Sequence, residues 1–115
     1  MWVYIIDSQR RQILWCKQNR NAGTDVVDKL CIGVTEGSFF GEVYNETIKF
    51  DTPAYEGWNF VGAIFDYDAA EDYTRIRIVD YHKSAVTASY KYFSYRYFDD
   101  PEYDFYLGGK HGSDG

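Results

Sequence analysis

Carboxylate side chains gather at two points of this 115-residue sequence, and they are its clearest candidates for chemistry. The acidic residues of the two clusters are Asp66, Asp68, Glu71, Asp72, Asp99, Asp100, Glu102 and Asp104. Their oxygen atoms would suit Ca²⁺ or Mg²⁺, but neither cluster has the D-x-[DN]-x-[DN]-G spacing of a calcium-binding loop. Acidic residues are also common at turns and at helix starts for structural reasons. We therefore predict no metal ion and no cofactor.

Nucleophilic catalysis would need a serine or cysteine within reach of a histidine, and histidines are scarce in this chain. His82 follows a predicted strand, and His111 lies in a glycine-rich tail. Neither histidine belongs to a spaced set of cysteines that could bind zinc. The sequence therefore predicts that the protein is not an enzyme, and a small metal-dependent hydrolase ranks third among the functions considered.

The two cysteines and the apolar runs bear on where the protein resides. Cys16 and Cys31 match no metal-binding or redox motif, so we predict two reduced, mostly buried thiols. The N-terminal residues lack the basic region and cleavage site of a signal peptide. The apolar run from Phe60 to Phe65 is far shorter than the roughly 20 residues that cross a bilayer. These features predict a cytoplasmic protein with no membrane partner.

Aromatic residues are concentrated between Tyr90 and Tyr106, where nine of 17 residues are Tyr or Phe. A small domain cannot bury so many rings on both faces of a strand, so we expect some of them at the surface. Surface tyrosines are favoured in protein interfaces, because the ring is apolar and the hydroxyl can form hydrogen bonds. They can also stack on bases or sugars. Alternatively, half of them form a second, smaller core.

Charge is distributed in blocks along the chain, whose formal net charge is −6. Residues 36–72 hold nine acidic residues and only Lys49, a net charge of −8, whereas residues 73–98 have a net charge of +4. A strongly acidic surface favours a protein partner with a basic surface. Direct binding of nucleic acid is not expected, because phosphate contacts need a clustered excess of Lys and Arg.

Runs of β-branched and aromatic residues predict most of the secondary structure. The predicted strands are, in chain order, Trp2–Ile6, Ile13–Lys17, Phe39–Tyr44, Thr47–Phe50, Trp58–Tyr67 and Tyr73–Tyr81. The first two flank a polar loop and predict one hairpin. The last two predict a second hairpin, because apolar and polar residues alternate with period two. Segment 85–98 fits a helix or a strand, and its aromatic residues favour a strand.

Two helices are predicted. Thr24 can cap a helix over 24–33, four apolar residues between Val26 and Cys31 form one stripe, and Gly33 can end it. A short C-terminal helix near 101–107 would begin at the Asp-Pro pair and end at the following glycines.

Together these elements predict an α+β fold, with a mainly antiparallel sheet of five to six strands and the helix at 24–33 packed on it. Residues 1–107 are predicted to form a single compact domain, and residues 108–115 a flexible tail.

The leading functional hypothesis is a small, acidic, non-enzymatic inhibitor or adaptor that binds a protein partner with a basic surface. In composition the chain is similar to small phage and mobile-element proteins that inhibit host nucleic-acid-binding enzymes, such as anti-CRISPR and anti-restriction proteins. That similarity covers no specific motif. The predicted partner-binding residues are Asp66, Asp68, Glu71, Asp72, Asp99, Asp100, Glu102, Tyr103, Asp104 and Tyr106. The alternative is a ligand-binding module for a carbohydrate or a nucleobase, with Trp58 and surface tyrosines as stacking platforms. The oligomeric state is not predicted.

Overall fold

The computed structural model describes residues 1–18, 29–44, 46–68, 73–93 and 104–107, and every regular element in these ranges is a β-strand. The strands are β1 (Trp2–Ile5), β2 (Gln12–Gln18), β3 (Lys29–Thr35), β4 (Ser38–Val43), β5 (Glu46–Pro53), β6 (Gly57–Asp68), β7 (Tyr73–His82), β8 (Ala85–Phe93) and β9 (Asp104–Leu107). The predicted α+β fold is therefore wrong, because the described part of the chain is all-β.

The strands form two antiparallel sheets rather than the single sheet that was predicted. The first sheet has four strands in the order β1-β6-β7-β8, and the second has five in the order β5-β4-β3-β2-β9. Every neighbouring pair is antiparallel. The chain thus crosses from one sheet to the other after β1, after β5 and after β8.

The two sheets pack face to face as a β-sandwich with an apolar core between them. Ile76 and Phe93 of the first sheet and Val34 and Phe39 of the second are all completely buried in this core. Gly41 lets the sheets approach closely, since a Cβ atom there would lie 2.9 Å from the ring of Phe93. The resulting body is only 22 Å thick along its shortest axis.

Polar contacts join β5 of one sheet to β8 of the other. The Thr52 amide donates to the Ser89 hydroxyl at 3.1 Å, and the two hydroxyl oxygens are 2.6 Å apart. Lys91 donates to the Asp51 carboxylate at 2.9 Å. The Thr52–Ser89 contact is the stronger constraint on how the sheets are placed, because Asp51 is exposed and water weakens its ion pair.

The predicted helix at 24–33 is wrong in its described part, because β3 takes its place from Lys29 onward. Leu30, Ile32 and Val34 are buried in the core, whereas Cys31 points to the opposite face. The alternation of side chains between the two faces has a period of two residues, which is the period of a strand. β3 lies between β2 and β4 and forms hydrogen bonds with both, a gain that a local apolar stripe does not reveal.

The other sequence predictions have mixed outcomes. The predicted C-terminal helix near 101–107 is wrong for Asp104–Leu107, which form β9 and pair with β2. The first predicted hairpin is wrong in its pairing, because β1 pairs with β6 and β2 pairs with β3 and β9. The second hairpin, β6 with β7, is confirmed, and so is the strand at the start of segment 85–98. The predicted tail at 108–115 lies outside the described residues, and the single domain over 1–107 stays a prediction.

The two cysteines form a disulfide rather than the pair of reduced thiols that the sequence predicted. Cys16 of β2 lies opposite Cys31 of β3 in the ladder, and their sulfur atoms are bonded. Both residues are completely buried. The disulfide therefore adds a covalent link between two neighbouring strands of the second sheet.

Candidate interaction surface

The outward-facing side of the four-stranded sheet is covered with large hydrophobic side chains. Among the described residues, 12 large hydrophobic side chains are exposed, and nine of them lie on this side. We call it the aromatic face; its nine exposed members are Trp2, Tyr4, Trp58, Phe60, Ile64, Tyr81, Val86, Tyr90 and Tyr92. Soluble monomers rarely expose so large a contiguous apolar surface, and such surfaces mark interaction sites.

Strand alternation explains how the chain builds this face. In β6, Trp58 and Phe60 are 61% and 44% exposed, whereas their neighbours Asn59 and Val61 are buried. Successive side chains of a strand point to opposite sides of the sheet, so the inner residues complete the core and the outer ones meet water. Hydrophobic residues at the outer positions therefore serve no packing role within the sandwich.

The register of the strands arranges the face in rows that run across the sheet. One complete row consists of Trp2, Phe60, Tyr81 and Val86. Tyr4 and Trp58 are paired in a shorter row beyond it. We call these two rows the aromatic bank.

The opposite end of the face carries arginines among its apolar side chains. Its two rows, the arginine bank, consist of Ile64, Arg77 and Tyr90, followed by Asp66, Arg75 and Tyr92. Arg75 donates a hydrogen bond to Asp66, and this contact raises the pKa of the Arg75 guanidinium. Among the described residues, no carboxylate pairs with Arg77. Arg77 therefore has a charge available for a binding partner.

Small residues separate the two banks. Gly62, Val79 and Ala88 are paired across β6, β7 and β8, and we call them the small row. A Cβ atom added at Gly62 would have as its nearest neighbour the Val79 carbonyl oxygen, 4.0 Å away. A shallow groove of about 430 Å³ lies within the arginine bank and reaches the small row only at Ala88; its other lining residues on this face are Ile64, Asp66, Arg75, Arg77 and Tyr90. The side chains of the small row are shorter than those of the banks on either side.

The rings on the aromatic face meet edge to face. The interplanar angles are 69° for Trp2 with Phe60, 76° for Tyr4 with Trp58 and 72° for Tyr90 with Tyr92. When one ring of such a pair lies flat on the sheet, the other stands upright. The face therefore does not offer a run of coplanar rings on which successive bases or sugars could stack.

A smaller polar cluster lies at one end of the sandwich. His82 Nδ1 is 2.9 Å from the Trp58 carbonyl oxygen, and the His82 ring stacks on Tyr55 at 5.1 Å between centroids. Asp80 is buried, and burial raises the pKa of its carboxyl to about 6 although the nearby His82 and the Tyr81 amide oppose the shift. Within the described residues, no group of three or more His, Cys, Asp or Glu side chains could hold a metal ion.

The acidic segment 36–72 carries less unpaired negative charge than its sequence suggests, because several of its carboxylates form ion pairs. These pairs are Glu36 with Lys49, Glu42 with Arg11, Asp51 with Lys91 and Asp66 with Arg75. The Lys49 ammonium lowers the pKa of the Glu36 carboxyl. Acidic and basic segments thus interleave in the fold, which weakens the expected acidic surface.

Few of the predicted partner-binding residues can be located. Asp66 lies on the aromatic face, Asp68 ends β6, and Asp104 and Tyr106 belong to β9 at the edge of the other sheet. The remaining predicted residues, Glu71, Asp72, Asp99, Asp100, Glu102 and Tyr103, lie outside the described residues. The structure therefore does not bring the two predicted acidic clusters together within the part that it describes.

Sequence reasoning missed most of the aromatic face. It singled out Trp58 but not Trp2, Phe60 or Tyr81, which it treated as strand residues. A signal was present, since β6 has large apolar residues at successive positions and so must expose some of them if it lies at the surface. The sequence does not show which of the two alternating sets of β6 side chains faces water.

Comparison with protein families, with curated proteins and with solved structures found no match. The described residues contain no helix with the length and apolarity that a bilayer crossing requires.

Proposed function

We propose that this protein is a non-enzymatic binding protein of the inhibitor or adaptor kind, and that the aromatic face is its interface with a protein partner. The observation that carries the proposal is the gathering of nine exposed large hydrophobic side chains on one side of one sheet. Binding a partner would remove this surface from water, and the hydrophobic effect would drive the association.

The residue types on the face are those that dominate protein interfaces. Trp, Tyr and Arg are enriched among interface hot spots, whereas Lys is depleted. The face combines Trp2, Trp58, Tyr90 and Arg77 with no lysine in its rows. Its seven aromatic side chains each leave about half of roughly 200 Å² exposed, on the order of 700 Å² in all. This approaches the 800 Å² that a standard interface buries on each partner.

The edge-to-face rings favour a protein over the alternative ligands. A protein partner offers side chains of varied shape, which can contact a ring face at one point and a ring edge at the next. A polysaccharide or a single-stranded nucleic acid needs successive rings that present their faces. The carbohydrate or nucleobase module therefore remains the second choice, and binding that depends on Trp58 alone would favour it.

The nature of the partner and its compartment remain predictions. The predictions of a basic partner surface and of a phage-type antagonist of a host enzyme rest on the acidic composition of the chain. A cytoplasmic location rests on the sequence, and the Cys16–Cys31 disulfide is evidence against it, because structural disulfides are rare in the reducing cytosol. Alkylation of cells denatured at once in the presence of the reagent decides the point, because denaturation exposes both buried residues: two modified cysteines support the cytoplasm, and none opposes it.

Photo-cross-linking tests the proposed interface. Tyr90 is replaced by the photoreactive residue benzoylphenylalanine, and the protein is irradiated in an extract of its own host. Tyr55 receives the same replacement as a control, because it is similarly exposed but lies outside the four strands. We expect a discrete protein adduct at position 90 that wild-type protein suppresses, and no such adduct at position 55. Absence of any protein adduct at position 90 would overturn the proposal, and glycan or single-stranded DNA binding that is lost in Trp58→Ala would then favour the alternative.

A further inference from the structure

We infer that the partner on the aromatic face is a second copy of this chain, in a two-fold symmetric dimer whose axis runs along the small row. This inference rests on the proposed function, since it names the protein that covers the face. Its support comes from the pattern of the rows and from the area of the face.

The rows are complementary to themselves when two copies meet face to face. A two-fold axis in the interface plane along the small row brings the aromatic bank of each copy over the arginine bank of the other. Rows on one side of a strand are about 6.6 Å apart, and the small row lies midway between the inner rows of the two banks. Each contact then occurs twice, as an isologous interface requires.

The inner facing pairs on β6 and β7 are chemically suited to one another. In β6, Phe60 lies over Ile64 of the second copy, an apolar pair. In β7, Tyr81 lies over Arg77, the arginine for which no described carboxylate is available, and a guanidinium on a tyrosine ring is a favourable cation–π contact. A twist of about 30° between the packed sheets leaves these central contacts in register.

The short side chains of the small row allow the two copies to approach closely. At the axis, Gly62, Val79 and Ala88 meet the same residues of the second copy, so small side chains face small side chains. The banks on either side can then interdigitate instead of holding the copies apart. Five aromatic side chains of the face lie on β6, β7 and β8, over the same strands of the second copy, and expose on the order of 500 Å² per copy. This is below the roughly 800 Å² per partner of standard complexes, so we expect a weak dimer.

The negative charge of the chain does not prevent this association. The body is 22 Å thick, so the centres of two stacked copies lie about 22 Å apart. At physiological salt the Debye length is about 8 Å, and the repulsion between two chains of charge −6 is largely screened. The face itself holds two arginines and one aspartate, with Arg75 and Asp66 already paired. The dimer should therefore tighten as salt is added.

Analytical ultracentrifugation of the full chain tests the inference. We expect the mass of the wild type to rise from 13.5 kDa toward twice that value as concentration rises from about 1 μM to about 1 mM. Gly62→Trp places an indole on the axis of both copies and should weaken the dimer by about 30-fold or more. Gly62→Ala is the matched control and should stay close to wild type, because its Cβ atom would make only an ordinary contact, 4.0 Å from the Val79 carbonyl oxygen. Circular dichroism and thermal unfolding verify that both variants fold.

A single introduced cysteine tests the symmetry. Ala88→Cys should form a disulfide between two copies under mild oxidation, because Ala88 lies beside its own equivalent at the axis. Thr47→Cys, on an exposed position of β5 in the other sheet, is the control and should not cross-link at the same concentration. The added Gly62→Trp change should abolish the cross-link of Ala88→Cys.

The outcomes separate this inference from the proposed function. A dimer that persists in Gly62→Trp, or an equal cross-linking yield for Thr47→Cys, overturns the inference because another surface is then used. A wild type that stays monomeric, while position 90 captures a different protein, overturns the inference and supports the proposed function. A monomer with no protein adduct at position 90 overturns both.

Discussion

Replacing Asp80 with asparagine should change how the stability of this protein depends on pH. The Asp80 side chain is 1% exposed, and its Oδ1 atom has no hydrogen-bond partner. Burial raises the pKa of the carboxyl from 3.8 to about 6, against the opposing influence of His82 and of the Tyr81 amide. Asparagine keeps the size of the side chain but does not titrate. Asp80→Asn therefore removes the pH-dependent contribution of this carboxyl to stability.

The direction in which stability changes with pH depends on whether the folded or the unfolded state binds the proton more tightly. With a pKa near 6 in the folded state and 3.8 in the unfolded state, the folded protein retains the proton over a range in which the unfolded chain has lost it. Stability is therefore highest below this range and falls as pH rises through it. A difference of about two pH units corresponds to about 3 kcal/mol. Relative to the wild type, Asp80→Asn should gain about 3 kcal/mol of unfolding free energy between about pH 4 and about pH 8.

Urea unfolding at a series of pH values measures this gain. Glu56→Gln is the matched control, because it makes the same chemical change at an exposed carboxylate. We expect it to lack the gain of Asp80→Asn. A free-energy difference between Asp80→Asn and wild type that stays constant within about 0.5 kcal/mol over the whole range would refute the reasoning, since it would mean that the carboxyl is not desolvated.

Three further predictions concern stability and can be measured by chemical unfolding. Replacing both Cys16 and Cys31 with alanine should cost about 3 kcal/mol, because the disulfide closes a loop with a sequence separation of 15; an equal stability of oxidised and reduced wild type would contradict this. Gly33→Ala should cost more than about 2 kcal/mol, because its Cβ atom would lie 2.3 Å from a backbone oxygen, whereas Gly62→Ala should be neutral; equal effects would contradict the packing. Leu30→Ala should cost about 2–5 kcal/mol, since Leu30 is a buried core residue, and a loss below about 1 kcal/mol would place it outside the core.

Local patterns predicted the hairpin that β6 and β7 form. The β6–β7 hairpin was predicted because apolar and polar residues alternate in β7, and only a short connection separates the two strands. Some rings of the Tyr-rich stretch were expected at the surface, and a second small core was the alternative. Among its described members, Tyr90 and Tyr92 are exposed, and Phe93 is buried. In these cases a side-chain period of two contains the information, and the tertiary structure adds little.

Two elements were predicted badly, for different reasons. The stripe from Val26 to Cys31 fits one side of a helix, yet Lys29 onward forms β3, which pairs with the preceding strand β2 and forms a tight hairpin with β4. Its partners are close in the chain, but the spacing of its apolar residues also fits a helix. Trp2–Ile5, in contrast, pairs with β6, far along the chain, rather than with the neighbouring β2, and no local window contains that partner.

By itself, the sequence determined that this chain is rich in strands and that a small domain could not bury all of its aromatic side chains. The tertiary structure decided which of them meet water. Strand alternation gives each strand two faces, and a shift of one residue exchanges the buried and exposed sets. Only the packing of the five-stranded sheet on one side of β6 fixed Val61 inside, and so left Trp58 and Phe60 outside on the aromatic face.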